Sequence, residues 1–448
     1  MNGSRDPDGR QHGEPGPVGA GGQAGGPVGR ADAAAQEPAP EAVPAVDSRL
    51  IVREEGFRGY VGEFRRKLRS GELGSLPVVV AVIVIWTVFG SLDSAFLSAQ
   101  NLSDLSQQIV GTGMIAVGIV FVLLLGEIDL SVGSVSGLCA AVFAVLNVIN
   151  GMNEWLALLV ALAGGAAVGL VQGFFFAKVG VPAFVVTLAG NLAWNGLMLQ
   201  VLGTSGTVNI PSESVVAELY STIFESPAAA YATAAVGVGL FLLASLLDAR
   251  RRRAARVPYR PLAEIVLRTV VLAAIAFAAA YILNRYQGLP LALLVFLIVL
   301  VLLDFVLRRT RYGRQIFAVG GNIEGARRAG ISVPFVRMSV FTIAGTMAAV
   351  GGIFLAGQIQ SASQTSGGGN LLMNVIAAAV IGGTSLFGGR GSVWSALLGA
   401  LVIGSIQSGM NIMGVSNAVQ FMITGAVLLA AVVVDSLSRR SQKAAGRA

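Results

Sequence analysis

Two carboxylates, Glu127 and Asp129, with the hydroxyl of Ser131 two residues further on, interrupt an apolar run at Gly126-Glu127-Ile128-Asp129-Leu130-Ser131-Val132-Gly133-Ser134. Residues 109–125 before this break and 135–148 after it are apolar enough to cross a bilayer. Charges at membrane depth are costly and persist where they face a packed interior or a water-filled path. Asp129 and Ser131 also suit helix capping, in which a side-chain oxygen accepts from the free N–H groups of the next helix. Glu127 has no such role and is the better candidate for lining a polar path. Amides interrupt other apolar stretches: Asn191, Asn195 and Gln200, then Gln358 and Gln360, then Asn370 and Asn374. Each amide offers a donor and an acceptor, which suits sugar hydroxyls and equally suits hydrogen bonds between helices.

Other chemistry is excluded by what the chain lacks. Its single histidine, His12, stands in the N-terminal tail, which removes Ser-His catalysis and most metalloenzyme sites from the apolar part. Gly203-Thr204-Ser205-Gly206 matches a short serine motif of intramembrane proteases, but the histidine base is missing. The three lysines, Lys67, Lys178 and Lys443, do not stand in a phosphate-binding Gly-Lys-Ser/Thr setting, so the chain has no Walker motif of its own. The one cysteine, Cys139, lies in an apolar span and reads as a small buried hydrophobe.

The elements that must position these residues follow from composition. Of 448 residues, 54% are hydrophobic and 12% charged, and the mean hydropathy is +0.73. Long continuous apolar runs of this kind predict an all-α polytopic transmembrane bundle. Twelve spans are expected, at 76–92, 109–126, 131–149, 155–176, 182–203, 228–247, 264–283, 290–307, 338–357, 371–387, 393–413 and 417–435. A ten-span version needs two re-entrant segments, and 371–387 is short enough to be re-entrant or broken. The alternate loops at 93–108, 150–154, 204–227, 284–289, 358–370 and 414–416 hold Arg285 as their only basic residue. The other loops hold Lys178, the arginine cluster of 250–260, the segment 308–337, Arg390 and the basic C-terminus, so both termini are expected in the cytoplasm. This loop bias accounts for the net charge of +7 and leaves no case for nucleic-acid binding.

Residues 1–49 read as a disordered tail without a signal peptide, 50–75 as a basic segment along the membrane surface, 76–437 as the transmembrane domain and 438–448 as a basic tail. Gly133-Ser134-Val135 after the acidic break is echoed by Gly391-Ser392-Val393 after a second break at 382–390. In the long basic loop, residues 324–329 suit a short helix outside the bilayer, punctuated by Gly320-Gly321 and Gly330.

These segments resemble the permease subunits of bacterial ABC sugar importers of the ribose/xylose type. The resemblance rests on 126–134, on Val181-Pro182-Ala183-Phe184-Val185-Val186-Thr187-Leu188, on 313–331 and on 377–393. Glu127, where most of the family has glycine, and Leu188-Ala189-Gly190 resemble the xylose branch. Gly325 and Ala329 depart from the family's alanine and serine but keep those positions small. The resemblance implies a non-catalytic subunit of a bacterial cell membrane that pairs with a second copy. It implies a separate cytoplasmic ATPase that binds ATP and Mg, and an extracytoplasmic binding protein that delivers xylose or a related pentose. Ribose, galactose and arabinose are the alternative cargoes. Gly320, Gly321, Asn322, Glu324, Ala326, Arg327 and Gly330 become the expected ATPase-coupling residues. Glu127, Asp129, Ser131, Asn191, Asn195, Asn370 and Asn374 become the expected sugar path, and Arg285 the expected docking point for the binding protein. A reading from another class is a solitary ion-coupled transporter that uses Glu127 and Asp129 as a proton or cation site.

Overall fold

The computed structural model describes residues 76–257 and 259–444. The expectations for 1–49 and 50–75 lie outside the described residues, as do the last four residues of the C-terminal tail. The chain opens with α1 (Leu76–Leu92) and a short turn, then α2 (Ala99–Leu124). α3 (Val132–Ala144) and α4 (Glu154–Phe174) each run on through a wider final turn, to Ile149 and Val179. α5 (Ala183–Leu202), β1 (Thr207–Asn209), α6 (Val215–Ser221) and β2 (Ile223–Phe224) follow. A helical hairpin of α7 (Pro227–Ala254) and α8 (Leu262–Asn284) leads to β3 (Leu289–Pro290) and α9 (Leu291–Arg309). The short α10 (Arg311–Gly321) and α11 (Ile323–Arg328) precede α12 (Val333–Ile359) and β4 (Ser361–Ser363). α13 (Leu371–Ile381), α14 (Trp394–Ile412) and α15 (Asn417–Ala444) complete the chain. Among the described residues nine helices are long and apolar enough to cross a membrane, and the shorter apolar helices include α1 and α13. The expected all-α transmembrane bundle is what the chain forms.

α2 and α12 occupy the centre, and buried residues make up 83% of the most apolar window of α2. α12 packs against α4 through small residues. A Cβ at Gly169 would overlap the Phe341 carbonyl, and one at Gly345 would overlap the Gly165 carbonyl. Small residues let helix backbones approach closely, which maximises dispersion contacts where lipid gives no hydrophobic drive for association.

Contacts between termini define two ends of the bundle. The end of α2, the start of α3, the end of α10 and the start of α14 lie together, since Gly320 and Gly391 both abut Leu124. α1 runs parallel to α14, with Trp86 Nε1 donating to Ser405 Oγ at 3.0 Å and Phe89 against Gly409. The first described residues therefore start from that same end. The opposite end is closed by two antiparallel strand pairs, β1 with β4 and β2 with β3.

Three stretches expected as loops are structured, and one of them, 204–227, holds β1, α6 and β2. Residues 93–108 contain a 3-10 turn and the first ten residues of α2, because Ser98 Oγ caps Asn101 N–H at 3.2 Å and the Asn101 amide accepts from Ser408 Oγ at 2.7 Å. The interior polar partner makes a polar helical start affordable. The segment 358–370 leaves α12 at Gln360, pairs briefly as β4, and turns back so that Ser366 and Gly367 lie against Gly137 and Gly133 of α3. α13 then continues toward the junction end, where Gly382 abuts Ser395. This pass is extended in its first half and helical in its second, which is why hydropathy made 371–387 look short.

Candidate functional site

The site is built where three interruptions of helix meet. α2 stops at Leu124, and Gly126 turns the chain at φ +79°, a conformation that disfavours any residue with a Cβ. The Leu124 carbonyl, left over at the helix end, accepts from Gly389 N–H at 2.9 Å. Gly320 in the last turn of α10 lies directly against that carbonyl, and its own carbonyl lies beside Gly388. The acidic break, the long basic loop and the break at 382–390 thus form one glycine-lined junction. The two breaks that echo each other in sequence are in contact.

Past the turn, Asp129 is only 2% exposed. Its Oδ1 accepts from Ser131 N–H at 2.8 Å and from Ser131 Oγ–H at 2.6 Å. Gln172 of α4 donates through Nε2 to Ser131 Oγ at 2.9 Å, which ties the break to a neighbouring helix. Burial pushes the Asp129 carboxyl above the usual carboxylate range, and the two Ser131 hydrogen bonds pull it back. Ser131 is not a side-chain cap. Its backbone is already near-helical (φ −101°, ψ −10°), and its hydroxyl is turned to Asp129 and Gln172 rather than to the free N–H groups of α3. Asp129 bonds the backbone of residue 131, a local turn ahead of the helix.

Glu127 is half-buried and faces Arg337 of α12 at 3.8 Å. The Arg337 guanidinium also lies over the Phe176 ring, 4.3 Å from its centroid. Burial raises the Glu127 pKa, and the neighbouring arginine lowers it again. Arg337 was assigned to a basic loop on hydropathy, although α12 starts four residues before it. Gln172 carried an available signal, a lone amide in an apolar span, and belonged with the other amides.

The remaining path candidates are dispersed. Asn191 and Asn195 are half-buried on α5, near Gly190, whose neighbour across the helix pair is Gln172. Asn370 stands at the N-cap position of α13 without a side-chain cap bond and lines a cavity of about 110 Å³ with Phe421 and Thr424. Asn374 is buried, and its Oδ1 has no hydrogen-bond partner among the described residues. A larger cavity, about 220 Å³, lies between α3, α12 and the returning segment, with Ser136, Gln358, Thr365 and Ser366 on its wall. Glu127, Asp129 and Ser131 form one cluster; the four asparagines do not join it.

Beyond the junction, Asn322 is extended and its Oδ1 accepts from Gly325 N–H at 2.8 Å, a side-chain cap for α11. Ala326 is buried against the bundle, while Glu324 and Arg327 are exposed and paired at 2.8 Å. Gly321 is exposed, and Gly330 (φ +78°) ends the helix turn. Arg285 stands at the other end of the bundle, after α8, with its Nη1 donating to Tyr281 Oη at 3.0 Å.

Among the described residues, nine long apolar helices around an interrupted, charged junction make a polytopic membrane protein. A family profile described as branched-chain amino acid transport system / permease component matches residues 101–432, and the chain belongs to that permease family. It is 37% identical over 375 residues to the xylose transport system permease protein XylH of Escherichia coli K12, covering 83% of this chain and 94% of the relative. It is 34% identical over 381 residues to the Haemophilus influenzae protein of the same name, covering 84% and 99%. The ribose import permease protein RbsC of Escherichia coli K12 is 32% identical over 372 residues, covering 83% and 97%. No solved structure matches. The chain is a permease component of that family, with nine helices among the described residues long and apolar enough to cross a membrane.

Proposed function

We propose that this permease carries xylose or a related pentose, is driven by a separate ATPase that binds ATP and Mg, and works as two copies fed by an extracytoplasmic binding protein. The names of its xylose and ribose relatives support the sugar class. One observation supports the drive: Gly320, at the end of α10, is seated under the last carbonyl of α2 beside Gly389. The exposed α11 would dock on the ATPase through Glu324 and Arg327, with Gly320, Asn322, Ala326 and Gly330 setting its position, whereas the coupling-loop residue Gly321 has room for a methyl group. Closure of the ATPase would then move α10, and the junction would pass that motion to both interrupted segments. ATP binding biases one of two access states by favouring the conformation it fits.

In this reading the junction end and both termini face the cytoplasm, and Arg285 faces the binding protein. Glu127, Asp129 and Ser131 shape the inner mouth of the path, and Asn191, Asn195, Asn370 and Asn374 offer amides along it. The chain itself performs no hydrolysis. Reconstitution in proteoliposomes with the cognate ATPase and binding protein tests the proposal. ATP-dependent xylose uptake that stops without the ATPase is expected. Gradient-driven uptake by the purified chain alone would replace this reading with an ion-coupled transporter.

A further inference from the structure

The α7–α8 hairpin is little enclosed: buried residues make up 6% of the apolar window of α7 and 17% of that of α8. The buried apolar residues joining it to the body, Ala230, Ala234, Ala280, Leu283 and Leu289, all lie toward the end away from the junction. Toward the junction end, Glu264 and Ile265 are the buried residues of α8, and α7 has none after Ala234. There the facing helices expose large apolar side chains, Leu243 and Leu247 on α7 and Leu302 and Phe305 on α9. Arg309 of α9 reaches across this opening, 3.7 Å from Asp248 and within 3.4 Å of the Ala244 carbonyl.

The mouth of the opening is strongly cationic. Arg250, Arg251, Arg252, Arg253, Arg256 and Arg260 are all exposed. Asp248 is engaged by Arg252 and Arg309, and Glu264 by Arg260 and Arg268. Among the described residues Arg250, Arg251, Arg253 and Arg256 have no carboxylate partner. Four consecutive arginines on a helix cover most of its circumference, so some face the opening whatever the helix rotation. A topology signal needs positive charge but no apolar crevice beneath it. An apolar opening between membrane helices, capped by unpaired guanidinium groups, matches one ligand chemistry: two acyl chains below an anionic phosphodiester.

We propose that the junction end of the α7–α8 hairpin binds an anionic membrane phospholipid, whose acyl chains lie between α7 and α9 and whose phosphate is held by those of Arg250, Arg251, Arg253 and Arg256 that face the opening. Each basic side chain near such a headgroup is worth about fivefold in affinity. The test titrates the delipidated full-length chain with dioleoylphosphatidylglycerol and with dioleoylphosphatidylcholine, and counts retained lipids by native mass spectrometry. Wild type is expected to retain the anionic lipid at least tenfold more tightly. The R250Q/R251Q/R253Q/R256Q variant should lose most of that preference. The corresponding quadruple lysine variant should keep most of it, which separates charge from misfolding. No anionic preference in wild type, or an unchanged preference in the glutamine variant, overturns the proposal. A wild type without lipid preference whose glutamine variant loses ATPase affinity would assign the arginines to an acidic protein surface instead.

Discussion

Gly320→Ala puts one methyl group where the Leu124 carbonyl already is, and 2.9 Å from Gly389 N. Both neighbours are backbone, so neither can swing aside as a side-chain tip would. Relieving the overlap shifts α10 away from the bundle and also turns the Leu124 carbonyl, which loses its bond from Gly389 N–H. An unsatisfied buried backbone group costs about 1–3 kcal/mol, and overpacking adds about 1–3 kcal/mol. Replacing glycine by alanine within a helix returns about 1 kcal/mol. The net is about 3 kcal/mol against the junction, roughly a hundredfold change in its population. Gly321→Ala is the control, because a Cβ there meets nothing within 4 Å and makes the same propensity change one residue away. In proteoliposomes holding the ATPase and binding protein, the number of sugars moved per ATP should fall at least tenfold in Gly320→Ala while ATP hydrolysis continues. Gly321→Ala should match wild type. Equal coupling in both variants would refute the claim that force passes through this contact.

Three further outcomes follow from the same geometry. Glu324→Lys removes the pair with Arg327 and reverses an exposed charge on α11, so uptake should be lost while helicity and ATPase turnover persist; wild-type uptake would remove α11 from coupling. Arg285→Glu should weaken binding-protein docking severalfold in a direct affinity measurement without altering thermal stability, and unchanged affinity ends that assignment. Arg337→Met strands Glu127, whose pKa burial already raises. A carboxyl with a raised folded-state pKa stabilises the fold at low pH and loses that contribution as pH rises through it. The variant should therefore lose about 1–2 kcal/mol at neutral pH, less than a fully buried broken pair, with recovery toward acid pH and in the Glu127→Gln double variant, as read by thermal unfolding in detergent.

The sequence carried the class and the breaks of this bundle further than it carried their geometry. Apolar run length and loop arginines located nearly every pass, because both are set by local solvation. The site was legible where a local cost was visible: two acids in an apolar run, and ordered glycines in a basic loop. Arg337 was hidden because a charge one turn inside a helix looks, by hydropathy, like the loop before it. Gln172 acts on Ser131 from 41 residues away, a pairing no local pattern encodes. The hydroxyl of Ser131 was misassigned for a related reason. Capping statistics give the commonest partner of such a serine, whereas the buried Asp129 and Gln172 decide the actual one.

The two ends of the bundle are built from opposite kinds of backbone pairing, and this bears on where movement can occur. Away from the junction, β1–β4 and β2–β3 join distant segments by ladder hydrogen bonds, and Glu154 Oε2 accepts from Val215 N–H at 2.9 Å to fix α6 onto α4. Such ladders resist relative sliding because every bond must break together. At the junction, α2, α10 and the turn before α14 meet through glycine contacts and, among the described residues, one backbone–backbone bond between these segments, from Gly389 N–H to the Leu124 carbonyl. That arrangement can exchange one neighbour for another at the cost of one hydrogen bond, about 1 kcal/mol when water or a new partner replaces it. Under the proposed coupling, a load on the exposed face of α11 would reach this compliant end first, while the far end holds the helices in register. The acids stand at the compliant end, where Arg337, Ser131 and Gln172 offset the cost of burying them and can be re-paired when the helices shift.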